Sequence, residues 1–68
     1  MEKYKIYWWN TRNFDAIPNG VVYVEDVGID VYEVYYQLVQ EKEPERIEMY
    51  YINFDGEEEM VDRLTAVN

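Results

Sequence analysis

Three segments of the chain carry runs of closely spaced apolar residues, and these predict a β-strand in each of them. The segments are Lys3 to Trp9 (KYKIYWW), Val21 to Glu25 (VVYVE) and Arg46 to Phe54 (RIEMYYINF). All three are rich in β-branched and aromatic residues, which fit a pleated and half-buried surface. In the third segment the alternation predicts Ile47 and Met49 on one face of the sheet and Glu48 and Tyr50 on the other.

Between the second and third segments the apolar period lengthens to that of an α-helix. The apolar stripe at positions i, i+3, i+4, i+7 and i+8 consists of Val31, Val34, Tyr35, Leu38 and Val39. Asp30 is expected to cap the N-terminus, because its carboxylate can accept from the first-turn amides and Glu33 follows three residues later. Pro44 is expected to end the helix. A helix of about a dozen residues is marginal in isolation, so it should pack on the sheet through the stripe.

The C-terminal segment, residues 57–67, follows a turn at Asp55-Gly56 and is compatible with two structures. Its apolar residues have helical spacing and are Met60, Val61, Leu64 and Val67. This spacing favours a short second helix, and an edge strand is the alternative. The element order β-β-α-β predicts an α+β fold, in which a small three-stranded, mainly antiparallel sheet packs on one main helix. At 68 residues, without a linker or repeat, the chain is expected to form a single domain over residues 1–68.

The first strand carries large side chains on both faces. Tyr7 and Trp9 alternate with Ile6 and Trp8, whereas one helix covers only one face of a sheet. The second face is therefore expected to be covered either by the C-terminal segment or by a partner, because exposed aromatic patches are typical of interfaces.

Composition and charge narrow the class of protein. Aliphatic and aromatic residues make up 49% of the chain, too many for a disordered acidic tail despite a net charge of −9. The charge is uneven, because residues 1–14 carry +2 and residues 15–68 carry −11. The chain has no cysteine and no apolar stretch of the length that a membrane span needs. A cytoplasmic protein without a membrane partner is expected.

Residues for catalysis are almost absent from the sequence. It has no His, Cys or Ser, and Thr11 and Thr65 are its only aliphatic hydroxyls, so the usual nucleophiles are missing. A carboxylate pair such as Glu25 and Asp26 would need a pocket that separates two pKa values. The chain is therefore predicted not to be an enzyme, and no cofactor or metal is expected. Direct binding of nucleic acid is not expected either, because the net charge repels phosphates.

The acidic residues have two interpretations. Scattered carboxylates keep a small protein soluble, whereas an ordered array can imitate the phosphates of B-DNA, which recur about every 3.4 Å along one strand. Three acidic runs could supply such an array. The residues predicted to contact a partner are Glu25, Asp26, Asp30, Glu33, Glu41, Glu48, Glu57, Glu58 and Glu59.

Several residues in sequence order support the second interpretation. They are Ile6-Tyr7, Asn10, Phe14-Asp15, Gly20, Val21 to Glu25, the helix from Asp30 with Glu33-Val34, and RIEMYYINFDG at residues 46–56. In spacing and type this order resembles the N-terminal domain of the ArdA-type antirestriction proteins. The resemblance implies a protein that mimics B-form DNA and occupies the DNA site of a restriction enzyme. That family continues through two further acidic domains, so a single domain favours a homodimer or a smaller target.

The leading hypothesis is a small phage or mobile-element inhibitor of a host DNA-binding defence protein of the restriction or CRISPR type. It would act by DNA mimicry, with its carboxylates in the basic cleft of the target. The alternative is a protein-protein interaction module with acids for solubility only. That module would bind through an aromatic sheet face formed by Tyr7, Trp9, Tyr50 and Ile52.

Overall fold

The computed structural model describes residues 3–25 and 28–66, and these form four strands and one helix. The elements in chain order are β1 (Lys3–Trp9), β2 (Gly20–Val24), α1 (Val31–Lys42), β3 (Arg46–Ile52) and β4 (Glu58–Thr65). All neighbouring strands are antiparallel, and their lateral order is β2-β1-β3-β4. The predicted α+β class is confirmed, with the C-terminal segment adding a fourth strand to the three predicted ones.

The C-terminal segment forms an edge strand, so the helix that its apolar spacing favoured is wrong. The side chain of Asn53 accepts the backbone N–H groups of Asp55 (2.9 Å) and Glu57 (3.0 Å), and Gly56 has a φ of 85°, which together reverse the chain. The register of β3 and β4 shifts at Val61, which breaks the two-residue alternation typical of a strand. Val67, the last residue of the predicted helical spacing, lies outside the described residues.

The helix packs on one face of the sheet through the predicted stripe. The buried core, from both layers, consists of Ile6, Val24, Tyr35, Leu38, Ile47 and Met49. At its centre the Tyr35 hydroxyl donates to the carbonyl of Ile47 at 3.4 Å, which satisfies the polar end of a fully buried ring. Trp8 flanks this core, and its indole packs so closely on Gly20 that a Cβ there would lie 2.6 Å from it. A glycine at the start of β2 therefore permits this packing.

Both predicted ends of the helix are confirmed. The Asp30 carboxylate accepts the backbone N–H of Tyr32 at 3.0 Å. At the other end Glu43 is left-handed, with φ 44° and ψ 53°, and its N–H donates to the carbonyl of Val39. Pro44 follows directly. In the described part of the chain, no helix is long and apolar enough to cross a membrane.

Replacing Glu43 by glycine is expected to raise the free energy of unfolding by about 1 kcal/mol, because a side chain disfavours the left-handed conformation. Urea denaturation of wild type and variant measures the change. Glu43→Ala is the matched control, since it removes the same carboxylate but keeps a Cβ atom. Equal stabilisation by both substitutions would show that charge, and not backbone conformation, is responsible.

Candidate functional site

The strand register brings separate acidic segments to one end of the sheet. Tyr4 pairs with Val24, Lys3 pairs with Ile52, and Ile52 pairs with Glu58. The start of β1, the end of β2, the end of β3 and the start of β4 therefore lie side by side. Ile29 and Val34, on either side of the start of helix α1, line one depression together with Val24 and Glu25, so the first turn of the helix is also at this end.

We call this region the acidic end. It contains the exposed residues Glu25, Asp30, Glu33, Asp55, Glu57, Glu58 and Glu59. Among the described residues only Lys3 and Lys5 offset these seven acids here, which leaves a formal charge of −5. In residues 3–25 and 28–66 no group of three or more acids is placed to hold a metal ion. The carboxylates therefore form a surface and not a chelating cluster.

The opposite half of the molecule is close to neutral. Its charged residues within 3–25 and 28–66 are four cations and five acids with a sum of −1: Arg12, Asp15, Glu41, Lys42, Glu43, Glu45, Arg46, Glu48 and Arg63. Several are paired with each other: the Arg12 Nε lies 2.8 Å from a Glu45 oxygen, and the Arg46 Nε lies 3.4 Å from a Glu48 oxygen. Lys42 lies over the ring of Trp8. Asp62 lies between the two regions, near the ring of Tyr32. The charge of the fold is thus segregated along the strands.

The structure separates the predicted contact residues into two groups. Six of them belong to the acidic end: Glu25, Asp30, Glu33, Glu57, Glu58 and Glu59. Glu41 is exposed near the far end of α1, where it accepts from the side chain of Gln37 at 3.0 Å. Asp26 lies outside the described residues.

The placement of Glu48 differs from the prediction, because it is buried and not part of an acidic surface. Only 7% of the residue is exposed. Its carboxylate accepts from the Tyr50 hydroxyl and lies 3.4 Å from the Nε of Arg46 and 3.9 Å from the Nε of Arg63. The alternation of β3 put Glu48 on the expected face of the sheet, but that face is covered at this position. Glu48 therefore has a role inside the fold and offers no free carboxylate to a partner.

The cover is the β1–β2 loop, residues 10–19. The Trp9 indole N–H donates to the carbonyl of Ala16 at 2.9 Å, which holds the loop against the sheet. The guanidinium carbon of Arg46 lies 3.8 Å from the ring centroid of Trp9 and 4.6 Å from that of Phe14. Trp9 is 6% exposed and Arg46 3%. The C-terminal segment or a partner was expected to cover this face of the sheet. Around Trp9 that expectation is wrong, because the β1–β2 loop covers the face there.

The rest of the predicted aromatic face is half-buried and internally bonded. Tyr7 and Tyr50 make an edge contact with ring centroids 5.5 Å apart, and the Tyr7 hydroxyl donates to Glu58 at 2.6 Å. Burial, together with Glu58, raises the pKa of Tyr7, and burial together with Glu48 raises the pKa of Tyr50 to about 12. These side chains line an open depression of about 290 Å³. The tyrosine hydroxyls in this depression already donate to Glu58 and Glu48. They are therefore not available to bind a ligand without breaking these hydrogen bonds.

No protein-family model matches this chain, and neither a curated protein nor a solved structure matches it at a significant level. The case for a function therefore depends on the charge and geometry of the chain itself.

Proposed function

We propose that the protein is a small inhibitor of a cytoplasmic DNA-binding host protein, of the restriction or CRISPR type, and acts by DNA mimicry. The acidic end would occupy the cleft in which the target binds DNA phosphates. The observation that carries this proposal is the segregation of charge, −5 at the acidic end against −1 in the opposite half. Acids that served solubility alone would have no reason to gather at one end of the sheet.

The spacing of the carboxylates also supports the proposal. A β-strand rises about 3.3 Å per residue, close to the roughly 3.4 Å between charges along one DNA strand. Glu58 and Glu59 open β4 with this rise, one on each face of the sheet, and Glu57 directly precedes them. A second group of acids, with Glu25 and Asp30, follows the end of β2. Strands β2 and β4 are three strand spacings apart in the sheet. At about 4.8 Å per spacing the two groups lie roughly 14 Å apart, similar to the width of about 12 Å of the DNA major groove.

Structural roles account for only some of these acids. Asp30 caps the helix, and Glu58 pairs with Lys5 at 3.4 Å. Charges on β4 also discourage pairing with another chain, as is typical of edge strands. The helix dipole likewise favours Glu33 in the first turn of α1. None of these effects requires Glu25 and the helix start to be at the same end as the β3–β4 turn. The resemblance to the antirestriction family described above agrees with a function for the whole set.

Inhibition would be competitive with DNA. The uneven charge attracts a basic cleft over distances of about a Debye length, which speeds the encounter. In the complex, lysine and arginine side chains that normally contact phosphates would pair with carboxylates at the acidic end.

The test is capture of the target from a host lysate by the immobilised protein. Bound protein should be released by a salt step and displaced by excess duplex DNA, and affinity should fall more than about tenfold between roughly 50 and 200 mM salt. A captured protein that duplex DNA fails to displace would contradict the proposal.

Charge reversal at the acidic end is expected to abolish capture. The variant Glu57→Lys/Glu59→Lys leaves Glu58 in place, because Glu58 has partners within the fold. The matched control is Glu41→Lys/Glu43→Lys in the opposite half. Each double replacement changes the net charge by +4, from −9 to −5, so the two variants have the same net charge. Equal loss in both would mean that overall charge, and not the acidic end, determines binding.

A further inference from the structure

We propose that two copies of this chain pair antiparallel through β2, which would join two four-stranded sheets into one of eight strands. This inference concerns a different surface from the acidic end and does not depend on the proposed function.

The two edges of the sheet differ sharply in their protection. Edge strand β4 carries Glu58, Glu59, Asp62 and Arg63 and a register shift, which are features that discourage strand addition. Edge strand β2 has the sequence GVVYV, without a charge or a proline, and pairs in regular register with β1 over all five residues. Alternate backbone N–H and C=O groups of β2 point away from β1 and can accept another strand.

Apolar side chains flank this edge on both faces of the sheet. On the face away from the helix, Val21 is 42% and Tyr23 57% exposed. On the helix face a depression of about 460 Å³ runs beside β2, lined in part by Val22, Ile29 and Val34. An added strand would therefore remove apolar surface from water on both sides of its backbone, in addition to forming the ladder of hydrogen bonds.

For a pair of identical chains, charge favours this antiparallel arrangement over a parallel one. The end of β2 at Glu25 in one copy then lies beside the start of β2 in the other. Near that start, Trp8 pairs with Gly20, and Lys42 lies 5.5 Å from the Trp8 ring. The acidic end of each copy thus faces the nearly neutral half of the other, and the two acidic ends are separated by the length of the strand. A parallel pairing would instead bring both acidic ends together.

The interface is small, since a five-residue strand and a few flanking side chains bury less than the roughly 1,200 Å² of a standard interface. The dimer should therefore be in a concentration-dependent equilibrium with the monomer. Added salt should strengthen it by screening the repulsion between two chains of −9 each. This salt dependence is opposite in sign to that of target binding, so failure of one proposal is distinguishable from failure of the other.

The test is sedimentation equilibrium of the purified protein over a wide concentration range. Val21→Lys places a charge on the β2 edge and should raise the dissociation constant of the dimer at least about tenfold. Met60→Lys is the matched control on the β4 edge, since Met60 is 46% exposed and lies on the same face of the sheet. Each substitution changes the net charge from −9 to −8. The control should leave the dissociation constant within about twofold of wild type.

Hydrogen exchange of the unmodified protein gives a second measurement that needs no variant. Alternate amides of residues 20–24, those not bonded to β1, should become protected as concentration rises. A protein that remains monomeric at every concentration would overturn the proposal. Equal weakening by Val21→Lys and Met60→Lys would also overturn it, because the contact would then not be specific to β2.

Discussion

Arg46→Met is expected to lower the free energy of unfolding by about 3 kcal/mol, because it leaves the Glu48 carboxylate buried without its nearest cation. Arg46 lies 3.4 Å from Glu48, and the two residues are 3% and 7% exposed. Arg63 compensates only in part, since its Nε is 3.9 Å from the carboxylate and its side chain is 43% exposed. The loss also includes the contacts of the guanidinium with the rings of Trp9 and Phe14.

A double-mutant cycle separates the ion pair from the other contacts. Glu48→Gln removes the buried negative charge but keeps an oxygen that can accept from Tyr50. In the Arg46→Met background it should therefore restore about half of the lost stability or more, although in the wild-type background it is destabilising. Urea denaturation of the four proteins gives the coupling energy. Additive losses would show that Arg46 and Glu48 do not stabilise each other.

The same burial affects how the alternative function can be tested. Trp9 forms one side of the Arg46 site and holds the loop through Ala16. A truncation of Trp9 would therefore damage the fold, so a loss of binding would not identify an aromatic interface. Tyr23, which is 57% exposed, is a better probe of that sheet face.

The elements that the sequence predicts well are those whose pattern is local. The alternation of residues in β3 and the apolar stripe of α1 follow directly from which face packs on the core. Strand β4 is only the alternative prediction, after a helix, because the irregularity at Val61 interrupts its alternation and its apolar residues stay exposed at a sheet edge. An edge strand that buries few apolar side chains has no regular apolar pattern in its sequence.

The candidate site depends on contacts between residues far apart in the chain. No local pattern states that Glu25 and Glu57 lie at the same end, since this follows from the register of β1 with both of its neighbours. Glu48 is predicted at the surface because it continues the acidic run that extends from α1 to β3. The signal that could have corrected this is Arg46, a second charge two residues earlier on the same strand face. The β1–β2 loop that covers Arg46 and Glu48, however, is seen only in the folded structure.

Raising the pH from 10 to about 12 is expected to remove most of the stability of the domain. Burial raises the pKa of Tyr35 well above its usual value, and burial with Glu48 raises that of Tyr50 to about 12. A folded-state pKa above the unfolded one means that the fold favours the neutral phenol. This stabilisation is complete below pH 10, the usual pKa of tyrosine, and is lost as the pH rises through the folded-state value. For Tyr50 alone it is on the order of 2 kcal/mol.

The measurement combines urea denaturation at several pH values with the absorbance of tyrosinate. Part of the tyrosinate signal should appear only as the fold is lost, because Tyr35 is fully buried and donates to the carbonyl of Ile47. The variant Tyr35→Phe/Tyr50→Phe is the control: it is less stable at neutral pH, but its stability should fall less steeply above pH 10. If wild type and variant lost stability with the same slope, other groups would be responsible for the alkaline transition. The burial of the Tyr35 and Tyr50 hydroxyls would then contribute nothing to the pH dependence of stability.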